Sequence, residues 1–341
     1  MRWVSSGNPF CLAVLFWELF RRSWATSAFR SRGAGWSSRD GVIVMFFQNS
    51  PEAVWAGITK ALPDVGTIVQ KQSLSGGSIN SAYRIKTDSD QLYFVKLNRE
   101  PLLSMFEAEA EGLTELRKAK ATRVPEPIGC GASDGYSWIV TEHIEFDRGD
   151  AKTQALFGHQ LAEMHRFSAK RFGWHRDNTI GSTPQVNHWS DSWVEFYRTH
   201  RLDYQLKLAV NNGFTGSIQK KGERLMANLE SFFSSYSPLP SLMHGDLWGG
   251  NHGVDSHGNP VIFDPAVYYG DREADLAMTS LFGGCSASFY GAYHESWPLD
   301  EGYAVRKTLY NLYHILNHAN LFGGGYIMQA ESMMDLLLAE I

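Results

Sequence analysis

The sequence predicts an α+β fold of two lobes, a small antiparallel β-rich lobe followed by a larger, mainly helical one. Two observations carry this. Strand-like segments and a single amphipathic helix run to residue 142 and helices dominate afterwards, an order unlike alternating β-α units. The chain's 341 residues also exceed what one small core organises. With 43% hydrophobic and 20% charged residues, composition is that of an ordinary globular protein. The expected division is a leader over 1–44, a first lobe over 45–143 and a second over 144–341.

Taken in order, Pro51 followed by Val54, Trp55, Ile58 and Leu62 at helical spacing predicts a short helix over 50–62. Strands are expected at 66–73, 79–86 and 91–97, the first two joined by Ser73 to Ser78 (SLSGGS). Leu102, Phe106, Leu113 and Leu116 lie on or near one face of a helix over 102–119. Val124 to Pro127 (VPEP) cannot be helical, because each proline lacks a donor and restricts its predecessor. A strand at 136–142 closes the first lobe. The second reads as a helix at 151–167, a long loop at 170–189, helices near 191–211 and 216–235, a motif loop at 242–251 flanked by short strands, and helices at 272–282, 302–320 and 326–340. Gly323 to Gly325 breaks the last two.

The leader stands apart. Residues 1–40 hold six arginines and seven serines against Glu18 and Asp40, whereas the remaining chain has 25 basic and 34 acidic residues. Such an Arg- and Ser-rich, acid-poor stretch has the character of an organelle transit peptide, and upstream sequence ahead of a start at Met45 would look the same. Either way residues 1–44 are expected to add nothing to the fold. The apolar run Phe10 to Phe20 is too short to span a membrane and is interrupted by Glu18. No basic block appears in the body, which argues against a nucleic-acid partner, and no membrane partner is expected. Cys11, Cys130 and Cys285 are scattered, which is neither a disulfide framework nor a zinc pattern and suits a reducing compartment. The expected location is cytoplasmic, or an organelle if the leader is a transit peptide.

The chemistry is concentrated in His244-Gly245-Asp246-Leu247-Trp248-Gly249-Gly250-Asn251 and Val261-Ile262-Phe263-Asp264. Phosphoryl transfer from ATP needs a carboxylate to accept the proton of an attacking hydroxyl, and an amide oxygen with a second carboxylate to hold magnesium against the phosphates. Asp246 is the candidate base, and Asn251 and Asp264 are the candidate magnesium ligands. Magnesium asks for few protein oxygens because it keeps waters and phosphates. Upstream stand Gly76, Gly77 and Ser78 in a turn, where backbone N–H groups can approach phosphate, and Lys96 in an apolar strand. A kinase lysine is held by a helix glutamate. Of Glu107, Glu109 and Glu111, Glu109 is selected by its spacing to Leu113 and Leu116. His244 is expected to hold the loop through backbone hydrogen bonds rather than act as an acid. Trp248 either packs in the core or offers its face to a sugar. A transition-metal site built from His244, His252 and His257 fits no regular spacing.

Residues 46–340 resemble the fructosamine kinase (ketosamine 3-kinase) family, related in fold to aminoglycoside, choline and protein kinases. The resemblance rests on Phe172 to Trp189 (FGWHRDNTIGSTPQVNHW), on Trp193 to Leu206, on His244 to Asn251 with Phe263 to Ala277 (FDPAVYYGDREADLA), and on Tyr310 to Phe322. It implies a protein-kinase-like fold and ATP- and magnesium-dependent phosphorylation of the sugar 3-hydroxyl of ketosamines, free or on glycated proteins. The unstable product then releases the amine, a deglycating repair. It further implies that Glu142, His143 and Ile144 form the inter-lobe segment whose backbone meets adenine. The loop at 173–189 would face the sugar, although Asn178, Gln185 and Asn187 suit tying down a loop equally well. Some relatives carry a redox-active cysteine in the glycine-rich turn; Ser78 stands there here, so no thiol switch is expected. Two alternatives are a related kinase for another amino sugar or amino alcohol, and a nucleotide-binding regulator with little turnover.

Overall fold

The computed structural model describes residues 52–74 and 79–341. The leader and the Gly76, Gly77 and Ser78 turn lie outside the described residues. The first lobe opens with helix α1 (Glu52–Ala61) and continues with strands β1 (Ile68–Leu74), β2 (Ser81–Thr87) and β3 (Leu92–Arg99), helix α2 (Leu103–Lys118), and strands β4 (Pro127–Ser133) and β5 (Tyr136–Glu142). The five strands form one antiparallel sheet in the order β1-β2-β3-β5-β4. Side chains alternate across a strand. Val95 and Leu97 accordingly join Tyr83, Ile85, Trp138 and Val140 in a small core under Val54, Trp55 and Ile58 of α1, and Lys96 between them points to the other face.

Sequence reasoning left β4 without a strand. Its Gly129-Cys130-Gly131 has low strand propensity, yet a Cβ at Gly131 would lie 2.6 Å from the ring of Trp138 on the neighbouring strand. The strand is paid for by tertiary packing that only a bare backbone permits.

The second lobe follows with β6 (Phe146–Asp147), α3 (Ala151–Arg166), β7 (Asn178–Ile180), β8 (Thr183–Gln185), α4 (Trp193–Tyr197), α5 (Tyr204–Asn211) and α6 (Ser217–Ala227). Next come β9 (Ser241–Met243), β10 (His252–Asp255), β11 (Pro260–Ile262), β12 (Tyr268–Gly270), α7 (Glu273–Thr279), α8 (Ala287–Ser296), α9 (Tyr303–Phe322) and α10 (Gly325–Leu338). Three expectations are corrected. The stretch 170–189, read as loop, contains the β7–β8 hairpin. The helix near 191–211 is interrupted by a wider π turn at Arg198–Asp203, which accompanies the burial of Arg201 against Tyr268 and Phe196, 4.2 and 4.7 Å from their ring centres. Helix α8 was not foreseen: Ser and Gly dilute its pattern, and it exists because Phe289, Ala292 and Tyr293 pack on α3. There Gly158 admits the Phe289 carbonyl to within 2.3 Å of where a Cβ would stand.

The large core gathers Phe157, Leu161, Phe196, Tyr197, Leu242, Met243, Leu309, Tyr310 and Leu316. Leu113 and Leu116 of α2 belong to it as well. The helix that lies between β3 and β4 in sequence is thus packed into the second lobe's core. Among the described residues, no helix is long and apolar enough to cross a membrane.

Candidate active site

Four elements bring the proposed residues together. Strand β3 supplies Lys96, α2 supplies Glu109, the loop between β9 and β10 supplies Asp246 and Asn251, and the turn after β11 supplies Asp264. Lys96 Nζ lies 2.7 Å from Glu109 Oε1 and 2.5 Å from Asp264 Oδ1. Lys96 and Glu109 are nearly enclosed, while the Asp264 side chain stays 44% exposed. Burial disfavours the ammonium, yet the Asp264 and Glu109 carboxylates outweigh it and hold the Lys96 pKa above its ordinary value. Burial pushes the Glu109 carboxyl up, against the pull of Lys96.

The motif loop is fixed mainly from below. His244 is fully buried; its Nε2–H donates to the Phe263 carbonyl at 2.9 Å, and its Nδ1 accepts from the Asp246 N–H at 3.3 Å. Burial lowers its pKa, so the ring is neutral and serves as a bracket. Gly245 has φ +82°, and a Cβ there would sit 2.1 Å from the Ala266 carbonyl oxygen. Only glycine fits. Asp275, in α7, accepts from the His244 N–H at 2.7 Å and the Gly245 N–H at 2.8 Å, and lies 3.2 Å from His165 Nε2. Sequence reasoning assigned Asp275 nothing, because an acidic residue in a first helical turn already has an ordinary explanation in the helix dipole.

Asn251 Nδ2 donates to the Asp246 carbonyl at 2.9 Å, to Asp246 Oδ2 at 3.1 Å and toward the Asp264 carbonyl at 3.4 Å. The amide nitrogen is committed to the loop, which leaves the amide oxygen for a cation. With the Asp264 carboxylate it forms a pair of hard oxygens, a donor set that fits magnesium. Asp264 adopts a left-handed backbone, φ 56°, a conformation aspartate tolerates better than most residues. Burial, then the nearby Asp264 charge, raise the Asp246 pKa to about 7 against the Asn251 hydrogen bond. Among the described residues, no group of three or more His, Cys, Asp and Glu side chains could hold a metal. His252 Nε2 faces Cys285 Sγ at 3.6 Å.

Trp248 is 38% exposed and its ring lies over Gly250, which places it at the rim and not in the core. Glu142 ends β5, and His143 and Ile144 lead from it into the second lobe. The Glu142 carboxylate turns away to Arg123 Nη2 at 2.5 Å, and Arg123 also pairs with Asp255. Sequence reasoning missed this arginine, whose partners are far apart in the chain. Asn178, Gln185 and Asn187 are all buried and turned inward: Asn178 Nδ2 donates to the Val267 carbonyl, Gln185 Nε2 to the Ala266 carbonyl, and both Gln185 and Asn187 to Asn178 Oδ1. All three tie the segment down.

The chain can be placed among known proteins. A probable ketoamine kinase of Synechocystis is 46% identical over 295 residues, covering 85% of this chain and 98% of the relative. The chloroplastic protein-ribulosamine 3-kinase of Arabidopsis thaliana is 47% identical over 266 residues, covering 77% and 81%. A crystal structure of a candidate fructosamine-3-kinase from Thermobifida fusca superposes with a TM-score of 0.76 at 30% identity, covering 85% of this chain and all of that one. The aminoglycoside phosphotransferase APH(2'')-IIa with gentamicin, at a TM-score of 0.54 and 14% identity over 84% of this chain and 95% of that one, shares the protein-kinase-like fold. The family described as fructosamine kinase matches residues 52–340, and the chain belongs to that family.

Proposed function

We infer that this chain is a ketosamine kinase, a phosphotransferase that moves the γ-phosphoryl group of ATP to a sugar hydroxyl, the 3-hydroxyl, of a fructosamine or ribulosamine adduct. The observation that carries the chemistry is the convergence of Asp246, Asn251 and Asp264 beside the Lys96–Glu109 pair. The identity to ketoamine and ribulosamine kinases carries the substrate class.

In this reading Asn251 holds Asp246 Oδ2 and leaves Oδ1 to the acceptor hydroxyl. As that oxygen bonds to the γ-phosphorus, the bond to the β-phosphate bridging oxygen breaks, ADP carries off the electron pair, and the hydroxyl proton passes to Asp246. Lys96, steadied by Glu109, meets the nucleotide phosphates. Asp264, which contacts Lys96 here, and the Asn251 amide oxygen would hold magnesium, and the ion would neutralise phosphate charge. The backbone of Glu142, His143 and Ile144 is the proposed adenine edge, Gly76, Gly77 and Ser78 the proposed phosphate turn, and Trp248 the proposed stacking face for the sugar. The proposed compartment is a reducing one, the cytoplasm or, if residues 1–44 act as a transit peptide, an organelle interior, in keeping with the free Cys130 and Cys285.

The test is ADP release with fructosamine and ribulosamine acceptors under varied magnesium, beside amino sugars and amino alcohols. Substrate-dependent release with the ketosamines at the highest kcat/KM is expected; higher efficiency on an amino alcohol or amino sugar overturns the substrate class. Asp264→Ala should raise the magnesium requirement and weaken magnesium-nucleotide binding by ~10-fold or more, the loss of a charge-assisted contact. Calorimetric titration of ATP at several magnesium concentrations reads both.

A further inference from the structure

The Lys96–Glu109 pair depends on where α2 sits, and α2 is held by the second lobe along its whole length. Its later half carries Leu113 and Leu116 into the large core. Gly112 lies against Val267, and the Tyr269 hydroxyl donates to Glu115 Oε1 at 2.7 Å. Its earlier half, which bears Glu109, is gripped from outside by the segment Phe172 to Trp189. Arg176 Nη1 lies 2.5 Å from Glu111 Oε1, and its Nη2 reaches Glu107 Oε2 at 3.6 Å and the Ser104 carbonyl at 3.3 Å. His175 Nε2 lies 2.7 Å from Glu111 Oε2.

Helix geometry gives this grip its meaning. Successive residues turn by ~100°, so Glu107 and Glu111 share one face and Glu109 projects from the opposite one, toward Lys96. Three carboxylates in so short a stretch repel one another, and cations meet them from both sides. The grip is rigid at its base. Trp174 N–H donates to the Asn187 carbonyl at 2.8 Å, Asn187 Nδ2 donates to the Arg176 carbonyl at 3.3 Å, and Asn178 Nδ2 to the Val267 carbonyl at 2.8 Å. The Arg176 backbone is thereby fixed to the same β11–β12 turn that carries Asp264.

We propose that Arg176, assisted by His175, is a positioning residue that clamps the first half of α2 to the second lobe, so that Glu109 stands preset for Lys96 before nucleotide binds. The ATP site is then assembled in advance, without a helix that swings into place. The proposal rests on the kinase reading for its purpose. ATP affinity is measured without acceptor, so a failed ketosamine assay and a failed clamp remain distinguishable.

The test uses Arg176→Met, which keeps the apolar stem, and Glu111→Gln, which removes the partner's charge, each in the full chain. Both are expected to weaken ATP binding and raise the KM for ATP by ~10-fold, with kcat and acceptor KM within about threefold, since small misplacements of a positioned group have effects of this size. Melting temperature should stay within about 3 °C, because exposed ion pairs contribute little. Arg176→Lys should recover part of the loss. In a Glu109→Gln background, Arg176→Met should change ATP affinity by less than about twofold, because the route through which it acts is already gone. Unchanged ATP affinity in both single variants overturns the clamp. So does a full additional loss on top of Glu109→Gln, or a rise confined to acceptor KM, which would make the segment a wall of the sugar site.

Discussion

Asp246→Asn is expected to lower kcat by ~1,000-fold or more while leaving ATP affinity within about twofold. The substitution keeps shape and the Asn251 contact: an amide oxygen can accept from Asn251 Nδ2 as Asp246 Oδ2 does at 3.1 Å. It removes the one property the reaction uses, an oxygen able to take a proton. Asp246 is well suited to that task, because burial and the Asp264 charge raise its pKa to about 7, closer to the operating range than a free carboxylate. It makes no hydrogen bond or ion pair with Lys96 or Glu109, the residues proposed to meet the nucleotide, so binding and turnover are expected to separate. Single-turnover ADP formation and a calorimetric ATP titration on the same preparation read the two quantities. A matched loss of ATP affinity would reassign Asp246 to nucleotide binding, and retained turnover would remove it from the chemistry.

Much of this arrangement was legible in the sequence where local rules and chemistry coincide. The strand expected at 136–142 is β5 to the residue, because an apolar β-branched run between turn residues has one local solution. The choice of Glu109 followed from helical spacing to Leu113 and Leu116, and the structure turns Glu107 and Glu111 to Arg176 instead. What could not be read is what depends on partners far along the chain. Strand β4 needs glycines that no propensity favours, since Trp138 occupies the space of a side chain. Arg123 has the bearing of a surface arginine until Glu142 and Asp255 are folded against it. Asn178, Gln185 and Asn187 have the donors of a sugar site, and only the folded chain shows Asn178 and Gln185 satisfying the backbone of the β11–β12 turn and Asn187 holding the Arg176 carbonyl and Asn178.

Asp275→Ala should remove ~3–5 kcal/mol of stability and abolish most turnover, although Asp275 touches no proposed substrate. Its carboxylate is 1% exposed and meets the N–H groups of His244 and Gly245 and the ring of His165. Alanine leaves those buried donors without acceptor or water, and it does so beside Gly245, whose left-handed backbone aims Asp246. Burial alone would push the Asp275 pKa up, but the hydrogen bonds from His165 and the Gly245 N–H outweigh it and hold it below the ordinary value. A carboxyl lowered on folding stabilises above its unfolded pKa and loses that contribution as pH falls through the folded one. The deficit of Asp275→Ala is therefore largest at neutral pH and narrows in acid. Urea denaturation at pH 7 and below about pH 3, under the unfolded carboxyl pKa, tests both statements. Asp275→Asn should fall between the two, since one amide oxygen can serve one N–H while the NH2 group opposes the other. Near-native stability in Asp275→Ala would mean that the remaining bonds, the Ala266 N–H to the His244 carbonyl and the His244 ring to Phe263, hold the loop by themselves.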